Sequence, residues 1–118
     1  MARVLLVEDD ESVSEGLATL LRLEGFDVDV LTEGRPVTGT IALARPDIVV
    51  LDLTLPDVDG ITVARAVRDT WPALPVIIST GHVQYAGLPS LLRLQRIAFL
   101  QKPYVVDALL ATIAALLR

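Results

Sequence analysis

Ile48-Val49-Val50-Leu51-Asp52 is a run of four apolar residues closed by a carboxylate. A strand with one wet face alternates apolar and polar residues, whereas a continuous apolar run fits a parallel strand buried on both faces. Val4-Leu5-Leu6-Val7 and Val76-Ile77-Ile78 have the same character. Working outward, segments 3–7, 27–31, 47–52, 75–79 and 97–101 read as strands. Helical spacing fills the gaps. Ser12-Val13-Ser14-Glu15 reads as a capping box, apolar residues recur at Val13, Leu17, Leu20 and Leu21, and Gly25 is placed to end that helix. Segment 35–44 reads as a short helix weakened by Gly39 and its threonines. Segment 60–70 carries Ile61, Ala64, Val67 and Arg68 at helical spacing and stops before Pro72, and 104–117 reads as the final helix. Gly87 and Pro89 interrupt 82–96, so only a short helix beginning near Pro89 is expected there. Strand–helix alternation with short connections implies an α/β fold, a parallel sheet with helices on both faces.

Composition narrows the function. The chain has 118 residues, the size of a single domain. It is 53% hydrophobic but only 4% aromatic, so the core is built from Val, Leu, Ile and Ala. It has no cysteine, which excludes disulfides, thiolate catalysis and a cysteine zinc site and fits a reducing compartment such as the cytoplasm. The net charge of -5 argues against nucleic acid as a direct partner. Near the end, the uncharged stretch Ala108 to Leu117 is far short of the roughly 20 residues that span a bilayer. The start, Met1-Ala2-Arg3-Val4, lacks the layout of a secretory signal.

In open parallel sheets, ligands bind outside the carboxyl ends of the strands, where strand order reverses. Glu8, Asp9, Asp52, Thr80 and Lys102 all fall at or just past such ends. Lys102 is the only lysine; the other nine basic residues are arginine. Arginine is a planar fork, lysine a compact point charge on a flexible stem. Three carboxylates brought together from two strand ends cannot all stay ionised without compensation. A hard divalent cation relieves that repulsion, and Mg2+ prefers one or two carboxylates with waters and phosphate oxygens. With a nearby ammonium, such a site suits a phosphoryl group, and a carboxylate is a competent nucleophile toward phosphorus. Thr80 can offer a hydroxyl hydrogen bond, and Gly81 leaves room for backbone to approach a ligand.

Four pieces in order carry a resemblance. They are Val4-Leu5-Leu6-Val7-Glu8-Asp9; Val50-Leu51-Asp52-Leu53 with Pro56 and Asp59-Gly60; Pro75-Val76-Ile77-Ile78-Ser79-Thr80-Gly81; and Phe99-Leu100-Gln101-Lys102-Pro103-Tyr104. Together they make the chain similar to the receiver domain of bacterial two-component response regulators over almost its whole length. The resemblance implies a doubly wound, flavodoxin-like (βα)5 fold with strand order 2-1-3-4-5, as one receiver domain over 1–118 with no output domain. It implies Asp52 as phosphoacceptor and Mg2+ as cofactor. Asp9 and Asp52 would hold the ion directly, Glu8 through water, and Thr54 through its backbone carbonyl. Thr80 and Lys102 would contact phosphoryl oxygens, Thr80 and Phe99 would form the switch, and the Lys102–Pro103 bond would be cis. Thr54 and His82 would flank the site and tune phosphoryl lifetime. The implied partners are a sensor histidine kinase or histidine phosphotransfer protein and a downstream protein target, with no membrane. Segment 82–96 departs from the family, lacking its alanine-rich fourth helix and the Ala-Gly-Ala step before the last strand.

Blander readings stand beside these. Asp52 can be a strand-end carboxylate capping a turn. Asp10 and Glu11 suit the start of the following helix through its dipole. Thr80 can be an ordinary loop hydroxyl, and Phe99 can simply be core. His82, the only histidine, reads first as a surface loop residue. The Leu and Ala stripe of the final helix is core packing, broad enough to leave a homodimer or partner contact open. Three other functions are weighed: a flavin-binding domain, disfavoured by four acids where a cofactor phosphate would sit; an aspartyl phosphatase, lacking a second aspartate two residues after Asp52; and a degenerate receiver acting as a phosphorylation-independent interaction module.

Overall fold

The computed structural model describes residues 1–81 and 87–118. The expectation for His82 lies outside the described residues. Five strands, β1 (Arg3–Val7), β2 (Asp27–Leu31), β3 (Ile48–Asp52), β4 (Val76–Thr80) and β5 (Ile97–Gln101), alternate among the described residues with helices α1 (Glu11–Leu23), α2 (Val37–Ala44), α3 (Gly60–Thr70), α4 (Leu88–Leu92) and α5 (Val106–Leu116). All strand pairs are parallel, in the order β2-β1-β3-β4-β5, which is the doubly wound flavodoxin-like arrangement.

The apolar runs are central strands for the reason inferred from sequence. Every residue of β3 and β4 is buried, and all of β1 beyond Arg3. Side chains alternate across the sheet. Val4, Leu6, Val50 and Ile77 pack with Ala18 and Leu21 of α1 and with Leu109 and Ile113 of α5. Leu5, Val49, Leu51 and Ile78 pack on the other face with α2, α3 and α4. The register pairs Val7 with Leu51, Asp52 with Ser79 and Thr80 with Gln101, so the carboxyl ends of four strands finish nearly level.

Helix ends correct several expectations. Asp10, not Ser12, caps α1: Asp10 Oδ1 accepts from Val13 N–H at 3.1 Å, and Ser12 lies inside the helix. The buried stripe of α1 is Ser14, Ala18 and Leu21, while Val13 and Leu20 are 40% and 42% exposed. Small residues at 14 and 18 let the helix lie close to the sheet, which outweighs the larger apolar side chains next to them. Gly25 does end α1, in a left-handed conformation with φ 97. Strand β4 runs one residue later than expected because Pro75 has no N–H to give the ladder. Helix α5 starts at Val106 rather than 104. Helix α4 is a single short turn opened by Pro89, as expected.

Two buried features brace this frame. Gly60, at the start of α3, lies against Leu53: an added Cβ would stand 2.4 Å from Leu53 Cα and O. Arg68 of α3 is buried, and its guanidinium donates to Trp71 O and Leu74 O at 2.7 Å and to Arg96 O at 3.2 Å. Burial, and then the nearby Arg96 charge, lowers its pKa.

Candidate functional site

Glu8 directly follows β1, Asp52 ends β3, Thr80 ends β4 and Lys102 directly follows β5. Glu8 continues the face of Leu6 and Asp52 that of Val50, so both carboxylates crown the α1/α5 side of the sheet. They are 3% and 5% exposed, too buried to stay charged without a partner. Lys102 is that partner. Its Nζ donates to Asp52 Oδ2 at 2.9 Å and also to Glu8 Oε1. Thr54 N–H donates to the other Asp52 oxygen, Oδ1, at 2.9 Å, so the turn after β3 closes on the carboxylate.

The charge balance is incomplete. Carboxylate oxygens of Glu8, Asp9 and Asp52 lie within 4.8 Å of one another, against a single ammonium. Burial, reinforced by Asp52 and Asp9, raises the Glu8 pKa to about 7 even though Lys102 pulls it down. Burial also works against the Lys102 ammonium, but its bonds to Glu8 and Asp52 outweigh this and raise its pKa. An excess of buried, hard oxygen donors is a good match for Mg2+. Asp9, exposed beside the buried Glu8 and Asp52, completes a set of three carboxylates that could hold such an ion. Asp10 and Glu11 serve α1 instead, as its cap and in its first turn.

Thr80 is fully buried at the end of β4, and Lys102 N–H donates to its carbonyl at 2.9 Å. Phe99 is half-buried on the α3/α4 face, with Ile78 as its register partner. The Lys102–Pro103 bond is cis. The structure thus brings Glu8, Asp9, Asp52, Thr54 and Lys102 together; it places Thr80 at the end of the neighbouring strand and leaves Phe99 within β5 on the opposite face of the sheet.

Sequence reading passed over Ser79, quoted only as the last residue of the strand segment 75–79 before Thr80. Strand alternation puts it on the Asp52 face and Thr80 on the other. It also passed over the Tyr104 side chain, which packs on that same face. The period-two alternation that identified the strands was the signal for Ser79.

A sequence profile of the response regulator receiver domain matches residues 4–114. The chain is 37% identical over 116 residues to the response regulator MprA of Mycolicibacterium vanbaalenii and 35% identical to that of Mycobacterium leprae, covering 98% of this chain in each. It spans about half the length of these relatives, 50% and 51%. The BeF3-activated N-terminal receiver domain of Klebsiella pneumoniae RstA superposes with TM-score 0.87 at 30% identity, covering 98% of both chains. The receiver domain of Francisella response regulator 1452 gives TM-score 0.88 at 25% identity, covering 99% of this chain and 97% of that one.

Proposed function

This chain belongs to the response regulator receiver domain family, and from that premise we propose that it is a phosphorylation switch whose phosphoacceptor is Asp52. The observation that carries the reading is the Lys102 ammonium bonded to both Asp52 and Glu8 at the carboxyl edge of the sheet. The donor is a phosphohistidine on a sensor histidine kinase or a histidine phosphotransfer protein. An Asp52 carboxylate oxygen attacks phosphorus as the bond to the imidazole nitrogen breaks, and that nitrogen keeps the electron pair. Thr54 N–H and Lys102 orient the carboxylate for in-line attack. Asp9 and Asp52, Glu8 through water and the Thr54 carbonyl would hold Mg2+, which would supply neutralisation of phosphoryl charge. Lys102 then faces a phosphoryl oxygen, and the Thr80 hydroxyl turns toward it. The new group carries about -1.5 to -2 of charge by analogy with other phospho-residues, in place of the single charge of the carboxylate, and sets it further out, enough to shift an inactive–active equilibrium. Phe99 follows Thr80, and the surface of α4, β5 and α5 changes for a downstream protein.

The domain works in the cytoplasm and is a switch rather than a turnover enzyme, catalysing only its own phosphorylation and dephosphorylation. Bonding of Asp52 and Glu8 by one ammonium favours this over a phosphorylation-independent module, which needs no such arrangement. The test is intact mass after incubation with Mg2+ and a small phosphodonor. Wild type gains one phosphoryl group and Asp52→Asn gains none; a wild type that stays unmodified and shows no Mg2+-dependent response to a phosphate mimic refutes the reading.

A further inference from the structure

Asp52 and Ser79 are register partners on β3 and β4, and both continue the sheet face covered by α1 and α5. Paired strands stand about 4.8 Å apart, so the Ser79 hydroxyl is an immediate neighbour of the Asp52 side chain. Ser79 is 2% exposed, and its Oγ makes no hydrogen bond among the described residues. A buried hydroxyl in that condition costs stability and calls for a reason. Lys102 and Thr54 each give one hydrogen bond to the Asp52 carboxylate. A carboxylate accepts about four, so a further donor has room.

Tyr104 approaches the same place from the loop after β5. Its ring packs against the α1/α5 core, and with Lys102, Gly81, Val13, Leu17 and Pro103 it lines a groove of about 490 Å³. Burial pushes its phenol pKa up, while the Ser79 hydroxyl and then the Lys102 charge pull it back. Tyr104 and Ser79 thus share the α1/α5 face of the sheet, and the Ser79 Oγ there has no hydrogen-bond partner among the described residues.

We propose that Ser79 is a positioning residue for Asp52 with Tyr104 as its partner: Tyr104 O–H donates to Ser79 Oγ, and Ser79 O–H donates to the Asp52 side chain. The protons stay on their own oxygens; only hydrogen bonds form or break. When Asp52 becomes an acyl phosphate, its negative charge moves outward onto the phosphoryl oxygens. The Ser79 donor follows that charge, and the phenol that leans on Ser79 follows it in turn. The state of Asp52 is thereby communicated to the groove beside α1, on the face opposite Thr80 and Phe99. This consequence rests on Asp52 as phosphoacceptor; the hydroxyl chain itself does not.

The decisive experiment is 13C-tyrosine NMR of the full chain, with Tyr104→Phe identifying the Tyr104 ring signal. Asp52→Asn is expected to move that signal, and Ser79→Ala to remove at least half of the movement. Ser79→Thr, which keeps the hydroxyl, is expected to restore it. Equal movement with and without the Ser79 hydroxyl is through-space electrostatics and overturns the proposal, as does a Ser79→Thr that behaves like Ser79→Ala. A second arm follows the lifetime of the phosphorylated protein. Ser79→Ala and Tyr104→Phe are each expected to shorten it about fivefold, as for loss of one neutral hydrogen bond, and the double variant no further. Effects that multiply show two independent residues and overturn the pairing. If wild type takes up no phosphoryl group, the phosphoacceptor reading fails, and the NMR arm, which needs no phosphoryl transfer, still decides the hydroxyl chain.

Discussion

Gly60→Ala is a one-carbon perturbation with a large expected effect. The added Cβ would meet Leu53 Cα and O at 2.4 Å and Leu53 C at 2.8 Å. Ordinary van der Waals contact begins near 3.4 Å, so one side must retreat by about 1 Å. Neither side is a flexible side-chain tip: Leu53 contributes backbone, and Gly60 opens α3 under the Asp59 cap, whose Oδ1 accepts from Ile61 N–H at 3.1 Å. Forced insertion into packed structure costs about 1–3 kcal/mol, and backbone against backbone belongs at the top of that range. At about 4 °C per kcal/mol for a domain of this size, the melting temperature falls by roughly 12 °C. Leu53 lies between Asp52 and Thr54, so the same 1 Å displaces the turn that carries the proposed phosphoacceptor, and phosphoryl uptake is expected to slow by about tenfold or more. The internal controls are Gly16→Ala in α1 and Gly39→Ala in α2, where an added Cβ meets nothing within 4 Å among the described residues. Both are expected to stabilise, by about 0.5–1 kcal/mol each. Thermal melts of the three variants, with phosphoryl uptake timed by intact mass, provide the readout. A Gly60→Ala protein melting within about 2 °C of wild type refutes the claim that the Leu53 contact makes glycine necessary.

Three further outcomes follow from the charged groups. Lys102→Arg keeps the charge but changes its shape and reach; it is expected to accept a phosphoryl group at Asp52 yet respond poorly in phosphorylation-dependent partner binding, and wild-type behaviour would make the sole lysine an accident. In divalent-free buffer the folded Glu8 carboxyl titrates near 7 against an ordinary value of 4.5, so its contribution to stability is full below about pH 4.5 and lost as pH rises through 7. Urea unfolding at pH 5 and 8 should therefore show wild type losing more stability on the alkaline side than Glu8→Gln, and equal losses would contradict the burial argument. Arg68→Met strips the donors from Trp71 O, Leu74 O and Arg96 O and is expected to cost about 2–4 kcal/mol, with Arg68→Lys recovering only part because one ammonium cannot span three carbonyls. A loss below about 1 kcal/mol in urea unfolding would show those bonds to be ornamental.

The strands were legible because burial on both faces leaves its mark on every residue of Val4–Val7, Ile48–Leu51 and Val76–Ile78. The main site residues were legible because charge just past such a run has to sit at the sheet edge. What escaped was decided by geometry that residue type does not encode. Ser12 and Asp10 are both good cap residues, and only the path of the chain out of β1 selects Asp10. Leu20 looks more like core than Ser14, but the close approach of α1 to the sheet rewards the smaller side chain. Arg68 was noticed for its helical spacing, while its three carbonyl partners come from the Trp71–Leu74 turn and from the distant Arg96, which no local pattern joins.

Arg68 also bears on how the domain moves. With Arg96, whose guanidinium donates to Ala73 O at 3.2 Å and Leu116 O at 3.0 Å, it sews the entry of β4, the entry of β5 and the exit of α5 into one seam. That seam lies at the end of the sheet away from the carboxylates, so the molecule is bound like a book along its spine, with the carboxylates at the fore-edge. Strand β4 is five residues long, a lever of about 16 Å from spine to edge. A tilt of only about 4° about the seam carries Thr80 through roughly 1 Å, on the scale of hydrogen-bond making and breaking, while the packed interior near the spine scarcely shifts.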